Sequence, residues 1–133
     1  MTAAAAQALC PCGSGKIFPD CCQPFLQAVS LTASAEALMR SRYTAYVLRD
    51  APYLLATWHP HTRPESLDFD QEPPQWLGLA IKRHLQIDAS HAEVEFVARY
   101  KINGRGFRMR ETSRFERIDG RWLYLDGDLS PSE

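Results

Sequence analysis

The stretch Val94-Glu95-Phe96-Val97-Ala98-Arg99-Tyr100-Lys101-Ile102-Asn103-Gly104-Arg105-Gly106-Phe107-Arg108-Met109-Arg110-Glu111-Thr112-Ser113-Arg114-Phe115 alternates apolar and polar residues on both sides of an Asn-Gly pair. Period two marks a strand with one buried face, and Asn-Gly supplies the positive φ that a two-residue hairpin turn needs. Ala92, Val94, Phe96, Ala98, Tyr100 and Ile102 therefore share one face of a strand. Phe107, Met109, Glu111, Ser113 and Phe115 share the matching face of the next. Asp119-Gly120 marks a second hairpin leading into a strand over Arg121 to Asp126. On the other side, Trp76 to Ile87 reads as the first strand, with Leu77, Leu79 and Ile81 on one side.

Upstream the period changes. Thr32 or Ser34 can cap a helix in which Leu38, Met39, Tyr43, Tyr46 and Val47 recur at helical spacing, ending near Arg49. Asp50 caps a second helix that accepts Pro52 in its first turn and stops at His59-Pro60. Residues 61–74, proline-rich and acidic, read as a loop with at most a turn of helix. Helices followed by a run of antiparallel strands describe an α+β fold in which the helices cover one face of a curved sheet.

The chain has 133 residues with 45% apolar and 11% aromatic content, enough for a single core. Its formal charge of -1 gives no global positive field to drive nucleic-acid binding. No run approaches the roughly 18 apolar residues of a membrane span, and the alanine-rich start lacks the positive and long apolar regions of an export signal. A soluble, cytoplasmic protein is expected.

Four cysteines lie between positions 10 and 22, as Cys10-Pro11-Cys12 and Cys21-Cys22, and the remaining residues contain none. A disulfide framework spreads its staples, whereas a metal site gathers its ligands. The intervening Gly13-Ser14-Gly15 can reverse the chain, and Lys16 can offset thiolate charge. The glycine spacing is too short for a phosphate loop, and Ile17 stands where such a loop places Ser or Thr. The pattern favours zinc held by Cys10, Cys12, Cys21 and Cys22, with an iron-sulfur centre or a transient disulfide as alternatives. Four sulfurs fill the shell, so the ion is structural, and its removal is expected to unfold residues 10–25 while sparing the rest.

Cys10-Pro11-Cys12-Gly13-Ser14-Gly15-Lys16 with Cys21-Cys22 resembles the SEC-C motif. Ala37-Leu38-Met39-Arg40-Ser41-Arg42-Tyr43, Ala56-Thr57-Trp58-His59-Pro60, Val94 to Tyr100 and Asp119-Gly120-Arg121-Trp122 resemble the YchJ family of bacterial proteins. The resemblance implies a nuclear transport factor 2-like cone: helices packed on a curved antiparallel sheet around a pocket. It divides the chain into a flexible leader (1–9), a SEC-C-like zinc module (10–25) and the cone domain (26–133). For the module it implies docking onto a protein or ribosomal partner.

Four residues are candidates for the pocket. Period two puts Glu111 on the apolar inner face of its strand, where a carboxylate needs a cation or a raised pKa. Arg42, on the helix side carrying Leu38, Met39 and Tyr46, is the expected partner in an ion pair. His59 ends the second helix, either as a cap or as a proton carrier at the pocket mouth. Trp76, like Trp122 and Tyr124, reads as core or rim packing that could border an apolar ligand. His61, His84 and His91 are assigned no role.

Asp126-Gly127-Asp128 reads as a solvated turn. Arg99, Lys101, Arg105, Arg108, Arg110 and Arg114 form a basic sheet side that interspersed Glu93, Glu95 and Glu116 can pair, so RNA is not the expected partner. These residues contain no complete catalytic set. The leading reading is a zinc-binding accessory or adaptor protein. The rival is a small enzyme or ligand binder that uses Glu111 or His59.

Overall fold

The computed structural model describes residues 8–28, 31–67 and 74–130. A 3₁₀ turn at Phe18–Asp20 and a short helix α1 (Gln23–Leu26) follow the cysteine loop. Helix α2 runs Ala35–Leu48 and α3 runs Ala51–Ala56. Ser34 caps α2 by accepting from the Ala37 N–H, and Asp50 caps α3 by accepting from the Tyr53 N–H. Between them Arg49 takes a left-handed conformation, φ 59°, that ends α2.

Four strands, β1 (Gln75–Gln86), β2 (His91–Ile102), β3 (Arg105–Ile118) and β4 (Arg121–Ser130), form an antiparallel meander in the order β1-β2-β3-β4. The α+β class is as the alternation predicts. Helices pack on the inner face, where Leu38, Met39 and Tyr43 of α2 join Ala92, Val94, Phe96, Ala98, Phe115 and Trp122 in one core. No helix among the described residues is long and apolar enough to cross a membrane.

Three expectations need correction. In β1 the register shifts between Trp76 and Gly78, so Leu77 is the extra residue and is 42% exposed. Trp76, Leu79 and Ile81 then oppose inward-facing Tyr100, Ala98 and Phe96. A bulge resets parity, which simple alternation cannot anticipate. The second correction concerns α3, which ends before Trp58. Thr57 O accepts from Tyr124 N (2.8 Å) and His59 N donates to Tyr124 O (2.7 Å), so this segment leaves the helix to pair in parallel with the β4 edge. Third, Asp126-Gly127-Asp128 is part of β4, with Gly127 opposite Ser113.

Ala8 and Leu9, expected in the leader, are bound to the cysteine loop. Leu9 and Ile17 form an antiparallel bridge, with Cys10 N donating to Lys16 O and Phe18 N to Ala8 O at 2.9 Å each. Residues 1–7, and residues 68–73 of the acidic segment expected as loop, lie outside the described residues.

Candidate metal centre and cavity

The bridge at Leu9 and Ile17 closes a loop in which Gly13 (φ 80°) and Gly15 (φ 88°) turn the chain back. A β-carbon on Gly13 would come within 3.0 Å of Leu79 O, so the loop lies directly against β1. The 3₁₀ turn and α1 then bring Cys21 and Cys22 up to Cys10 and Cys12. All four Sγ atoms lie within 4.8 Å of one another, with Cys12 to Cys21 at 3.6 Å and Cys21 to Cys22 at 3.9 Å. Tetrahedral ligation at about 2.3 Å places sulfurs about 3.8 Å apart, so the donor set fits one metal ion with a closed shell.

Charge and hydrogen bonds around the sulfurs come from α2 and the loop. Arg40 donates through Nη1 to Cys12 O (2.8 Å) and lies 4.0 Å from Cys12 Sγ. Thr44 Oγ1 is 3.4 Å from Cys22 Sγ and 3.6 Å from Cys10 Sγ, and Ser14 Oγ is 3.1 Å from Cys21 Sγ. Arg40, not the exposed Lys16, is the cation at the sulfurs. Arg40 and Thr44 stand one helical turn apart, a spacing visible in the sequence but meaningless without knowing which face of α2 meets the loop.

Contacts with Cys10 and Cys22 hold Cys12 far below the usual thiol range, whereas contacts with Cys10 and Cys12, together with burial, push Cys22 up. Burial pushes Cys21 up as well. The sulfurs cannot all carry charge this close together unless a cation joins them.

On the far side of α2 a cavity of about 280 Å³ lies between helix and sheet. Arg42, Trp76 and Glu111 all line it, and so do Tyr46, Trp58 and Tyr124. Trp76 packs edge-on against Tyr43 and tilts against Tyr46 and Tyr100.

Arg42 is 3% exposed. Its Nη1 donates to Leu54 O and Thr57 Oγ1, both at 2.8 Å, and its guanidinium lies over the rings of Trp58 (4.9 Å) and Tyr124 (4.7 Å). Burial lowers its pKa, and the negative potential of Tyr46, Tyr124, Tyr53 and Glu111 works against that. The expected Arg42 to Glu111 ion pair is not formed. Glu111 Oε2 instead accepts from Ser113 Oγ (2.7 Å) and Tyr124 OH (3.3 Å), because Ser113 shares its face and Tyr124 crosses from β4. Burial and the Glu111 charge push the Tyr124 hydroxyl up, which keeps it a donor.

Gly127, read as a turn residue, is the space Glu111 occupies: a β-carbon there would collide with the Glu111 carboxylate. Gly127→Ala should therefore push the Glu111 carboxylate off Ser113 and Tyr124, at a cost of about 1 kcal/mol. Its denaturant midpoint should fall, and the penalty should vanish when Glu111→Ala is added. An unchanged midpoint for the single variant would mean that the carboxylate does not sit over this glycine.

His59 is not at the pocket mouth. It is 5% exposed, does not line the cavity, and pairs through Nε2 with Glu116 Oε1 at 2.8 Å while Nδ1 accepts from the His61 N–H. Its backbone bond to Tyr124 carries it past the β4 edge, and Glu116 lies on the opposite face of β3 from Glu111. On the outer sheet face Arg110 pairs with Glu95 (3.1 Å), and Arg114 pairs with Asp126 (2.6 Å) and Asp128 (2.8 Å).

Residues 34–127 match the family described as YchJ, middle NTF2-like domain. A UPF0225 protein of Ralstonia nicotianae is 52% identical over 141 aligned positions, covering 98% of this chain and 97% of the relative. A UPF0225 protein of Bordetella parapertussis is 50% identical over 128, covering 92% and 93%. Among solved structures, the solution structure of a SEC-C motif containing protein from Rhodopseudomonas palustris superposes with a TM-score of 0.82 at 36% identity, covering 92% of this chain and 98% of that one. The crystal structure of a SEC-C motif containing protein from Psychrobacter arcticus gives 0.77 at 28% identity, covering 96% and 86%.

Proposed function

This chain belongs to the YchJ family, and on that premise we propose that it is a zinc-stabilised binding protein whose cavity holds a small organic ligand. The supporting observation is the cavity itself. A space of about 280 Å³ walled by Tyr46, Trp58, Trp76 and Met109 also has Arg42 and Glu111 in its lining. Ligand sites combine an apolar wall with a few fixed polar groups in this way, and a space filled only by packing has no need of the second.

Glu111 accepts from two hydroxyls, which suits holding a ligand donor better than delivering a proton. Zinc is the ion best matched to four thiolates, and its closed shell confines it to a structural role.

Small aromatic probes titrated into labelled protein should move the NMR signals of Tyr46, Trp58, Trp76 and Met109 together and saturably. If none of these signals moves at millimolar probe, the cavity does not bind ligands and the reading falls.

Docking through the cysteine module is a second reading, favoured by its outward edge. Leu9 is 66% exposed, and Gly13, Gly15 and Lys16 are exposed beside it. Leu9→Ser with Lys16→Glu leaves every sulfur in place and should abolish capture of a partner. Capture equal to wild type would remove the docking reading.

A further inference from the structure

We propose that the end of the sheet carrying the β2–β3 hairpin is a docking surface for single-stranded RNA, held at its phosphates by Arg99, Lys101 and Arg108 and at a base by Phe107. The surface lies outside the cavity and stands independently of it.

The carrying observation is a charge imbalance. Residues 99–110 include five cations, Arg99, Lys101, Arg105, Arg108 and Arg110, and no carboxylate. Alternation along the strands leads to the expectation that Glu93, Glu95 and Glu116 neutralise them, but the structure commits those acids elsewhere. Glu95 pairs with Arg110, and Glu116 pairs with His59 and His91. Glu93 lies six positions along β2 from Arg99, about 20 Å, against a screening length of about 8 Å at physiological salt. Among the described residues Arg99, Lys101 and Arg105 form no ion pair with a carboxylate, and all three are exposed.

The register sharpens the imbalance. Arg99 stands directly opposite Arg108, and like charges so placed repel. Arg99 is also seated: a β-carbon on Gly78 would come within 2.6 Å of its Nη2, so the guanidinium lies against the bare backbone of β1. An anion laid across this row removes the repulsion, and guanidinium forks match the paired oxygens of a phosphate.

The ring beside the cations separates RNA from an acidic protein segment. β4 pairs with β3 only from Arg110 onward, so Arg105 to Met109 form a free edge among the described residues. On that edge Phe107 is 37% exposed, stacked on Tyr100 at 5.5 Å, with the Arg105 guanidinium 5.5 Å from the ring centre. Cations beside an exposed aromatic ring hold a single strand through its phosphates and a stacked base. A duplex keeps its bases from such a ring, and the single strands of a cell are chiefly RNA.

Fluorescence anisotropy with full-length, metal-loaded protein and a labelled oligouridylate of about 12 nucleotides tests this. The logarithm of the affinity should fall against the logarithm of salt with a slope of about -2, from three cations at about 0.7 each. Lys101→Glu with Arg108→Glu should weaken binding by at least about ten-fold and flatten the slope to about -0.7. Phe107→Leu should weaken it by about ten-fold at unchanged slope. Arg117→Glu with Arg121→Glu makes the same charge change at exposed positions of the β3–β4 hairpin and should leave the affinity within about two-fold.

No binding at low salt, equal weakening by the two charge-reversed pairs, or an unaffected Phe107→Leu would each overturn the proposal. So would a duplex with oligoadenylate that binds as tightly as the single strand. Polyglutamate that displaces the RNA at equal charge concentration would overturn it in favour of an acidic protein partner.

Discussion

Removing the metal should unfold the whole domain at room temperature, and Cys12→Ser should do the same. The sequence alone suggests a detachable module, but the packing argues otherwise. Cys12 is 0% exposed, Cys22 1% and Cys10 4%, and these three sit in the same core as Leu38, Tyr43 and Phe96. Around them Arg40 and Thr44 of α2 reach the loop, and Gly13 lies against β1. A structural ion in a short cysteine module contributes on the order of 10 kcal/mol, while whole domains are stable by only about 5–15 kcal/mol. Losing the first term therefore consumes most of the second.

The check is chelation of purified protein that carries one ion per chain, followed by near-ultraviolet circular dichroism and NMR of signals far from the sulfurs. Trp122, Phe115 and Tyr124 should lose their native signals together with the loop. If only residues 8–26 respond and the melting temperature of the sheet is unmoved, the cysteines form a separate module.

The same contrast shows where sequence reasoning reaches its limit. The meander, both hairpins and both caps were legible because each depends on local chemistry: period-two alternation, Asn103-Gly104, Asp119-Gly120, Ser34 and Asp50. The gathering of the four sulfurs is legible because a disulfide framework would spread its cysteines through the fold, whereas these lie within 13 positions of one another. What failed depends on crossings between elements. The Leu77 bulge, the Trp58 bridge to β4 and the removal of His59 from the pocket all come from pairings between distant segments.

Parity puts Glu111 on the inner face, where it lines the cavity, but parity carries no information about its partners. Tyr124 arrives beside it only because a register shift between Arg114 and Phe115 sets the β4 facing. Gly127 looked like turn chemistry because Asp-Gly-Asp carries no local sign that a carboxylate two strand positions away needs the missing side chain.

Replacing Arg42 should be the most damaging single change outside the cysteines. Arg42 is 3% exposed, its guanidinium is bonded to Leu54 O and Thr57 Oγ1, and it lies over the rings of Trp58 and Tyr124. It therefore joins α2 to α3, to the segment that crosses to β4, and to β4 itself. Arg42→Met keeps much of the stem but abandons two buried acceptors of charge-assisted hydrogen bonds, and with them the cation nearest Glu111, a loss of about 3–5 kcal/mol. In a domain this size that lowers the melting temperature by roughly 10–20 °C. Arg42→Lys should recover little of it, since an ammonium has neither the planar fork nor the stacking face.

The part that comes from Glu111 can be isolated. The two side chains line one cavity without touching, so their interaction is through space. Arg42→Met combined with Glu111→Gln removes both charges and keeps the acceptor for Ser113 and Tyr124. It should be less destabilised than the sum of the single variants by about 1 kcal/mol. Strict additivity in that cycle would show that Arg42 acts only through its hydrogen bonds and rings, and that the cavity wall is not balanced in charge.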